Sequence, residues 1–128
     1  MAEDNKIDGK TAEEWFNLGL DTGDPKEKIS HYNNAIKLSP ENIASWYNKG
    51  LAYLLLERYP EAIECFDKVL EFDPKNVDAW HFKGIALDTL SQCSDAQICF
   101  NKAWELGMKG RIEKNIEELK EGQRSEYS

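Results

Sequence analysis

A spacing of 34 residues organises this chain. Trp46 and Trp80 stand 34 apart, and the same offset relates Gly50 to Gly84, Ala52 to Ala86, Ala62 to Ala96, Cys65 to Cys99, Phe66 to Phe100 and Lys68 to Lys102. Pro40 and Pro74 share it, which carries the register one unit toward the N-terminus. A period of this length marks a stack of like units, because one unit cannot bury its apolar face alone and must lay it on the next. An earlier unit repeats the order with Trp15, Leu18, Gly19, Tyr32, Ala35, Ile36, Leu38 and Pro40, but Trp15 to Pro40 is 25 residues where Trp46 to Pro74 is 28. Three residues are missing between its two halves.

Inside each unit the spacing is helical. Trp46, Gly50 and Tyr53 fall at i, i+4 and i+7, as do Ala62, Phe66 and Val69, so each set lines one face of an α-helix. Start signals separate the helices: Thr11 with Glu14, Asp24 with Glu27 and Ser94 with Gln97 have capping-box spacing, and Pro25 and Pro60 suit a first helical turn. Gly50 and Gly84 cost their helices about 1 kcal/mol each relative to Ala, which is worth bearing only where two helix backbones approach closely. They mark the contact within each helix pair. Beyond Gly107 and Gly110, Ile112, Ile116 and Leu119 recur at i, i+4 and i+7 among charged residues and predict one more amphipathic helix.

These residues resemble the tetratricopeptide repeat (TPR) family, whose unit carries Trp, Leu-Gly and Tyr on a first helix, then Ala, an aromatic, Ala and Pro on and after a second. The second repeat here has Trp46, Gly50, Tyr53, Ala62, Phe66 and Pro74, with Lys49 and Val69 where Leu and Ala are usual. The third has Trp80, Gly84, Leu87, Ala96, Phe100 and Ala103, and places Met108 where the helix-ending proline would fall, which permits a different exit. The resemblance spans about Thr11 to Gly110. It implies an all-α fold, a right-handed superhelical stack of antiparallel helix pairs with about seven helices. The expected organisation is a flexible segment 1–9, one domain 10–121 and a flexible tail 122–128. Within the domain, repeats lie at about 12–42, 43–76 and 77–110, and a capping helix at about 111–121 covers the last repeat, with Trp104 packed against it.

Composition narrows the function. Asp and Glu number 24 against 16 Lys and Arg, a net charge of −8 that repels phosphate backbones and anionic membranes, so neither nucleic acid nor membrane is an expected partner. The longest apolar run, Leu51 to Leu56, is six residues, far short of the roughly 20 that cross a bilayer. The acidic start lacks the basic and apolar regions of a secretory signal, and the expected location is the cytoplasm. Three cysteines without a Cys-x-x-Cys pair make neither a disulfide framework nor a zinc grip. Cys65 and Cys99 read as buried packing groups on second helices, and Cys93 as a turn residue. With two histidines and no phosphate loop or nucleophile motif, the chain is expected to have no catalytic residues, no metal site and no cofactor.

What the core stripe leaves over on the first helices is informative. In TPR arrays these helices line a concave groove, and by resemblance its floor maps to Phe16, Asn17 and Leu20, to Tyr47, Asn48, Leu51 and Leu54, with Leu55 beside them, and to His81, Phe82, Ile85 and Asp88. Most are apolar or aromatic, where a merely solvated face would carry Glu, Lys and Gln. These side chains are expected to point away from the stripe of Trp46, Gly50 and Tyr53. The function implied is a protein-interaction module, an adaptor or scaffold that takes a peptide segment with apolar anchors. The competing reading is a self-assembling unit whose groove or end face binds copies of itself, and the expected state is a monomer or weak homo-oligomer. One branch of the family clamps terminal carboxylates of chaperone peptides with Lys, Asn and Arg. Here the matching places hold Phe16, Leu20, Asn48, Asp78 and Phe82, and only Asn48 agrees. A carboxylate would find no cation there.

Overall fold

A computed structural model describes residues 5–126, with side chains through 122. Residues 1–4 of the expected N-terminal segment and 127–128 of the expected tail lie outside the described residues. Among the described residues six helices follow one another: α1 (Ala12–Asp21), α2 (Pro25–Leu38), α3 (Ile43–Leu55), α4 (Tyr59–Phe72), α5 (Val77–Thr89) and α6 (Cys93–Glu126). Each packs on its neighbours in sequence, so α1/α2, α3/α4 and α5/α6 form antiparallel pairs stacked in order. The chain is an all-α stack of the expected kind.

Each pair is set by one glycine and one ring. A β-carbon added to Gly19 would meet the Tyr32 ring, one at Gly50 the Phe66 ring, and one at Gly84 the Phe100 ring, at 2.4, 2.9 and 2.7 Å. The small residue lets the partner helix press its aromatic onto bare backbone. Around it lies the largest core cluster, Ala62, Phe66, Val69, Leu70 and Ala79, with Trp46, Tyr47, Leu51, Leu54, Trp80 and Phe82 packed on its margin. Each signature tryptophan also ties its helix to the segment before it. Trp46 Nε1 donates to the Pro40 carbonyl and Trp80 Nε1 to that of Pro74, both at 2.8 Å, and Trp15 Nε1 donates to Ile7 at 3.0 Å. Part of the expected loose N-terminal segment is thereby held. Ile7 and Lys10 bridge across Asp8 and Gly9, both with positive φ, as a two-residue turn of this kind requires.

The caps explain where the helices begin and end. Thr11 and Glu14 form the full capping box, whereas Asp24 accepts from the Lys26 amide and not through a box. Ser94 lies inside α6, which begins at Cys93, so its expected box is not a cap. The true caps of the later repeats are Asn42 and Asn76, whose side-chain oxygens accept from the amides of Ser45 and Ala79 at 3.0 and 2.9 Å. The α3 and α5 ends are alike. Glu57 and Ser91 take left-handed φ of 56° and 63°, and the amides of Arg58 and Gln92 reach back to Tyr53 and Leu87 at 2.9 Å, closing both ends as Schellman motifs. In the first repeat three residues are gone, α1 is 10 residues where α3 is 13, and no such turn forms. The ammonium of Lys28 takes its place, donating to the carbonyls of Gly19 and Leu20 at 2.9 and 3.3 Å.

Among the described residues helices number six, where about seven were expected, because the expected capping segment continues α6. After α2 and α4, Pro40 and Pro74 end the helix, since the residue before a proline is pushed out of the α region. Met108 imposes no such stop, and Gly107 and Gly110 weaken the helix without breaking it. Trp104, expected under the capping segment, is instead exposed.

Candidate peptide-binding groove

The first helices α1, α3 and α5 present equivalent rows relative to their glycines. Three residues before each glycine stand Phe16, Tyr47 and His81. Two before stand Asn17, Asn48 and Phe82, one after stand Leu20, Leu51 and Ile85, and four after, in the longer repeats, Leu54 and Asp88.

The first row bridges groove and core. Phe16 lies 5.9 Å from the Tyr32 ring, Tyr47 6.1 Å from Phe66, and His81 5.8 Å from Phe100, so each rests on the ring that its own glycine admits. Tyr47 also meets Phe82 edge-on at 6.2 Å, and Phe82 stacks on Phe66 at 5.9 Å. Tyr47, Leu51, Leu54 and Phe82 are therefore half-buried against the core margin and do not point away from it. The reason is the stacking itself: the ring of the next repeat is laid over Phe66, and the residues beside it share both environments. Asn17, Leu20, His81, Ile85 and Asp88 are exposed, Leu20 at 47% and Ile85, at the other end of its row, at 36%. Leu55 is 70% exposed.

Between the starts of α3 and α5 lies a pocket of about 360 Å3 lined by Ile43, Ala44, Tyr47, Asn48, Asn76 and Asp78. Its polar groups are mixed: the Ala79 amide occupies the Asn76 Oδ1, which leaves that side chain its N–H donors. Asn48 donates one of its two amide N–H groups to the Ala44 carbonyl at 2.8 Å, which leaves its carbonyl oxygen and a second N–H, and Asp78 adds a carboxylate. Burial, and then the Asp78 charge, push the Tyr47 phenol above its ordinary value, so it stays protonated and able to donate. With Asp78 as its one charged group, the pocket takes an amide or a cation more readily than a carboxylate. Ile43, Asn76 and Asp78 were not expected in the groove floor, and the Pro-x-Asn of both turns was the signal for Asn42 and Asn76. Among the described residues no three His, Cys, Asp or Glu side chains gather as metal ligands.

Lys49, the departure from the family pattern, has a local use. Its ammonium stands 5.1 Å from the Trp46 ring centre and 5.9 Å from that of Tyr53, and Lys83 stands 5.7 Å from Trp80 one repeat on. Lys83 also pairs with Asp67 of α4 at 2.6 Å. Burial pushes the thiol of Cys65 up to about 11 and that of Cys99 upward as well, and Cys93 is exposed at the first residue of α6.

Residues 43–76 match the family model of the tetratricopeptide repeat. Over 60 residues the chain is 40% identical to an uncharacterized protein of Methanocaldococcus jannaschii, covering 44% of this chain and 70% of that protein. Among solved structures it is similar to MamA at 25% identity and a TM-score of 0.76, over 79% of this chain and 61% of MamA. It thus spans about three fifths of MamA. It is also similar to the TPR2B domain of yeast Sti1, solved as a complex with pHsp70, at 25% identity and a TM-score of 0.72, over 86% of this chain and 90% of that one. The Arabidopsis OM64 TPR domain is 27% identical with a TM-score of 0.67, over 74% and 78%.

Proposed function

Because this chain belongs to the tetratricopeptide repeat family, we propose that it is an adaptor or scaffold that holds a peptide segment of another protein in the groove of α1, α3 and α5. The observation that carries this reading is the set of exposed apolar residues Leu20, Leu55 and Ile85 on those helices, with the pocket of Tyr47, Asn48 and Asp78 at the starts of α3 and α5. Leu20, Leu55 and Ile85 supply apolar contact, and the pocket supplies acceptors for a peptide amide or basic side chain. At about 25 cal/mol per Å2, two or three anchored side chains offset the ordering of a peptide to give micromolar-range affinity. The Sti1 domain, seen with pHsp70, supports binding of this general kind. The ligand differs in chemistry, since Asp78 and Phe82 stand where a carboxylate clamp needs cations. The adaptor works in the cytoplasm without catalysis of its own; among the described residues no helix is long and apolar enough to cross a membrane.

The test is a selection of binding peptides from a displayed random library, followed by titration of an enriched peptide. The double variant L20E/L55E changes two exposed side chains that leave the core untouched. It should keep the melting temperature and lose at least tenfold in affinity. A variant that folds and binds unchanged overturns the reading.

A further inference from the structure

The end face of the last repeat is uncovered, and the chain carries the helix that fits it on the wrong side of a straight rod. In the second repeat Phe66 and Leu70 are buried, Leu70 to 9%, beneath α5, whose Phe82 stacks on Phe66. One period later Phe100 is half-buried and Trp104 is 64% exposed. Val77, His81, Phe100 and Trp104 line a cleft of about 540 Å3 where a following first helix would lie.

The continuation of α6 has the matching stripe. Ile112, Ile116 and Leu119 are all exposed at i, i+4 and i+7, and Ile116 stands one period after Phe82. A straight helix rises about 1.5 Å per residue, so Ile116 lies roughly 18 Å along the axis from Trp104 and cannot reach its own cleft. Folding back would need a turn at 107–110, the place of Ser39-Pro40-Glu41-Asn42 and Asp73-Pro74-Lys75-Asn76. There the chain reads Gly107-Met108-Lys109-Gly110, without the proline that stops a helix and without the asparagine that caps the next.

We propose that two copies of this chain exchange the C-terminal halves of α6, each laying Ile112, Ile116 and Leu119 into the partner's cleft at Phe100 and Trp104. The contact is the same on both molecules, as two-fold symmetry requires. Two such contacts cover on the order of 1,000 Å2, the size at which specific interfaces begin. Local charge does not oppose the pairing in spite of the overall −8, since across 109–121 Lys109, Arg111, Lys114 and Lys120 balance Glu113, Glu117, Glu118 and Glu121. The exchange uses the end face, which borders the peptide groove at Asp78 and His81.

Light scattering behind size exclusion, run on the full chain across a concentration series, tests this. The wild type should pass from monomer to dimer, and I116E/L119E, which alters only exposed positions, should stay monomeric at every concentration with its helix content kept. A second variant, G107D/M108P/G110N, gives 107–110 the sequence of the preceding turn. It should also be monomeric, and Trp104, read as the difference from the same variant carrying W104F, should be shielded from acrylamide. A wild type that is monomeric throughout overturns the proposal. If its Trp104 is then shielded, the chain's own segment is the occupant; if not, the face is open to a foreign helix. A dimer that persists in I116E/L119E overturns it as well.

Discussion

The ring of Phe66 lies against the backbone of Gly50 so closely that a β-carbon there would stand 2.9 Å from two ring atoms. Phe66 is fully buried and has no room to retreat. Gly50→Ala gains about 1 kcal/mol of helix propensity, but forcing the helices apart costs up to about 3. The variant should lose about 1–2 kcal/mol in urea denaturation, and Gly19→Ala should lose more, because Tyr32 stands at 2.4 Å. An unchanged or raised midpoint would show that the glycine does not set the pair.

Ser45 is fully buried and its hydroxyl has no hydrogen-bond partner among the described atoms. One period later the chain has Ala79, equally buried. Ser45→Ala removes an unpaired polar group and leaves the backbone amide on Asn42 in place, so stability should rise by about 1 kcal/mol. Thermal denaturation checks this: a lowered melting temperature would mean that the hydroxyl is bonded.

Lys28 does for the shortened first repeat what a left-handed turn does for the others. Lys28→Ala leaves the last carbonyls of α1 without their ammonium and should cost about 2 kcal/mol. Lys28→Met keeps the stem and should cost nearly as much. If Met restores wild-type stability, the contribution is packing and not the charge.

Cys65 and Cys99 are buried and their thiols are held above the ordinary range, whereas Cys93 is exposed. One thiol should react rapidly with Ellman's reagent in the native protein and three in denaturant. The raised groups hold their protons more tightly when folded, so their contribution is complete below pH 9 and is lost as pH rises through the folded value near 11. Tyr32, Tyr47 and Tyr53 are raised in the same direction, and the stability of the chain should fall in alkali. A profile flat to pH 11 would contradict this.

Much of the fold was legible because a repeat states the same contact more than once: Gly50 with Phe66 and Gly84 with Phe100 are visible in spacing alone. The caps at Asn42 and Asn76 were written there too, in Pro-x-Asn, but short polar residues in turns carry many meanings. Lys28 could not be read as a cap, since its role exists only because three neighbouring residues are missing. The spacing of the candidate groove's rows was legible, and their burial was not. Tyr47 and Leu51 sit one helical step from the core stripe, and only the overlap of Phe82 on Phe66 makes them half-buried. The unbroken α6 follows from the absence of proline at 108, yet two nearby glycines argued for a break.

The groove reading is met most directly by mapping an enriched peptide on the isotope-labelled chain by amide chemical shifts. Shifts should gather on α1, α3 and α5, around Leu20, Asn48 and Leu51 and at the pocket residues Ala44 and Asp78, and leave the outer faces of α2 and α4 still. Saturable shifts confined to α2 and α4, or to the end of α6, would contradict it.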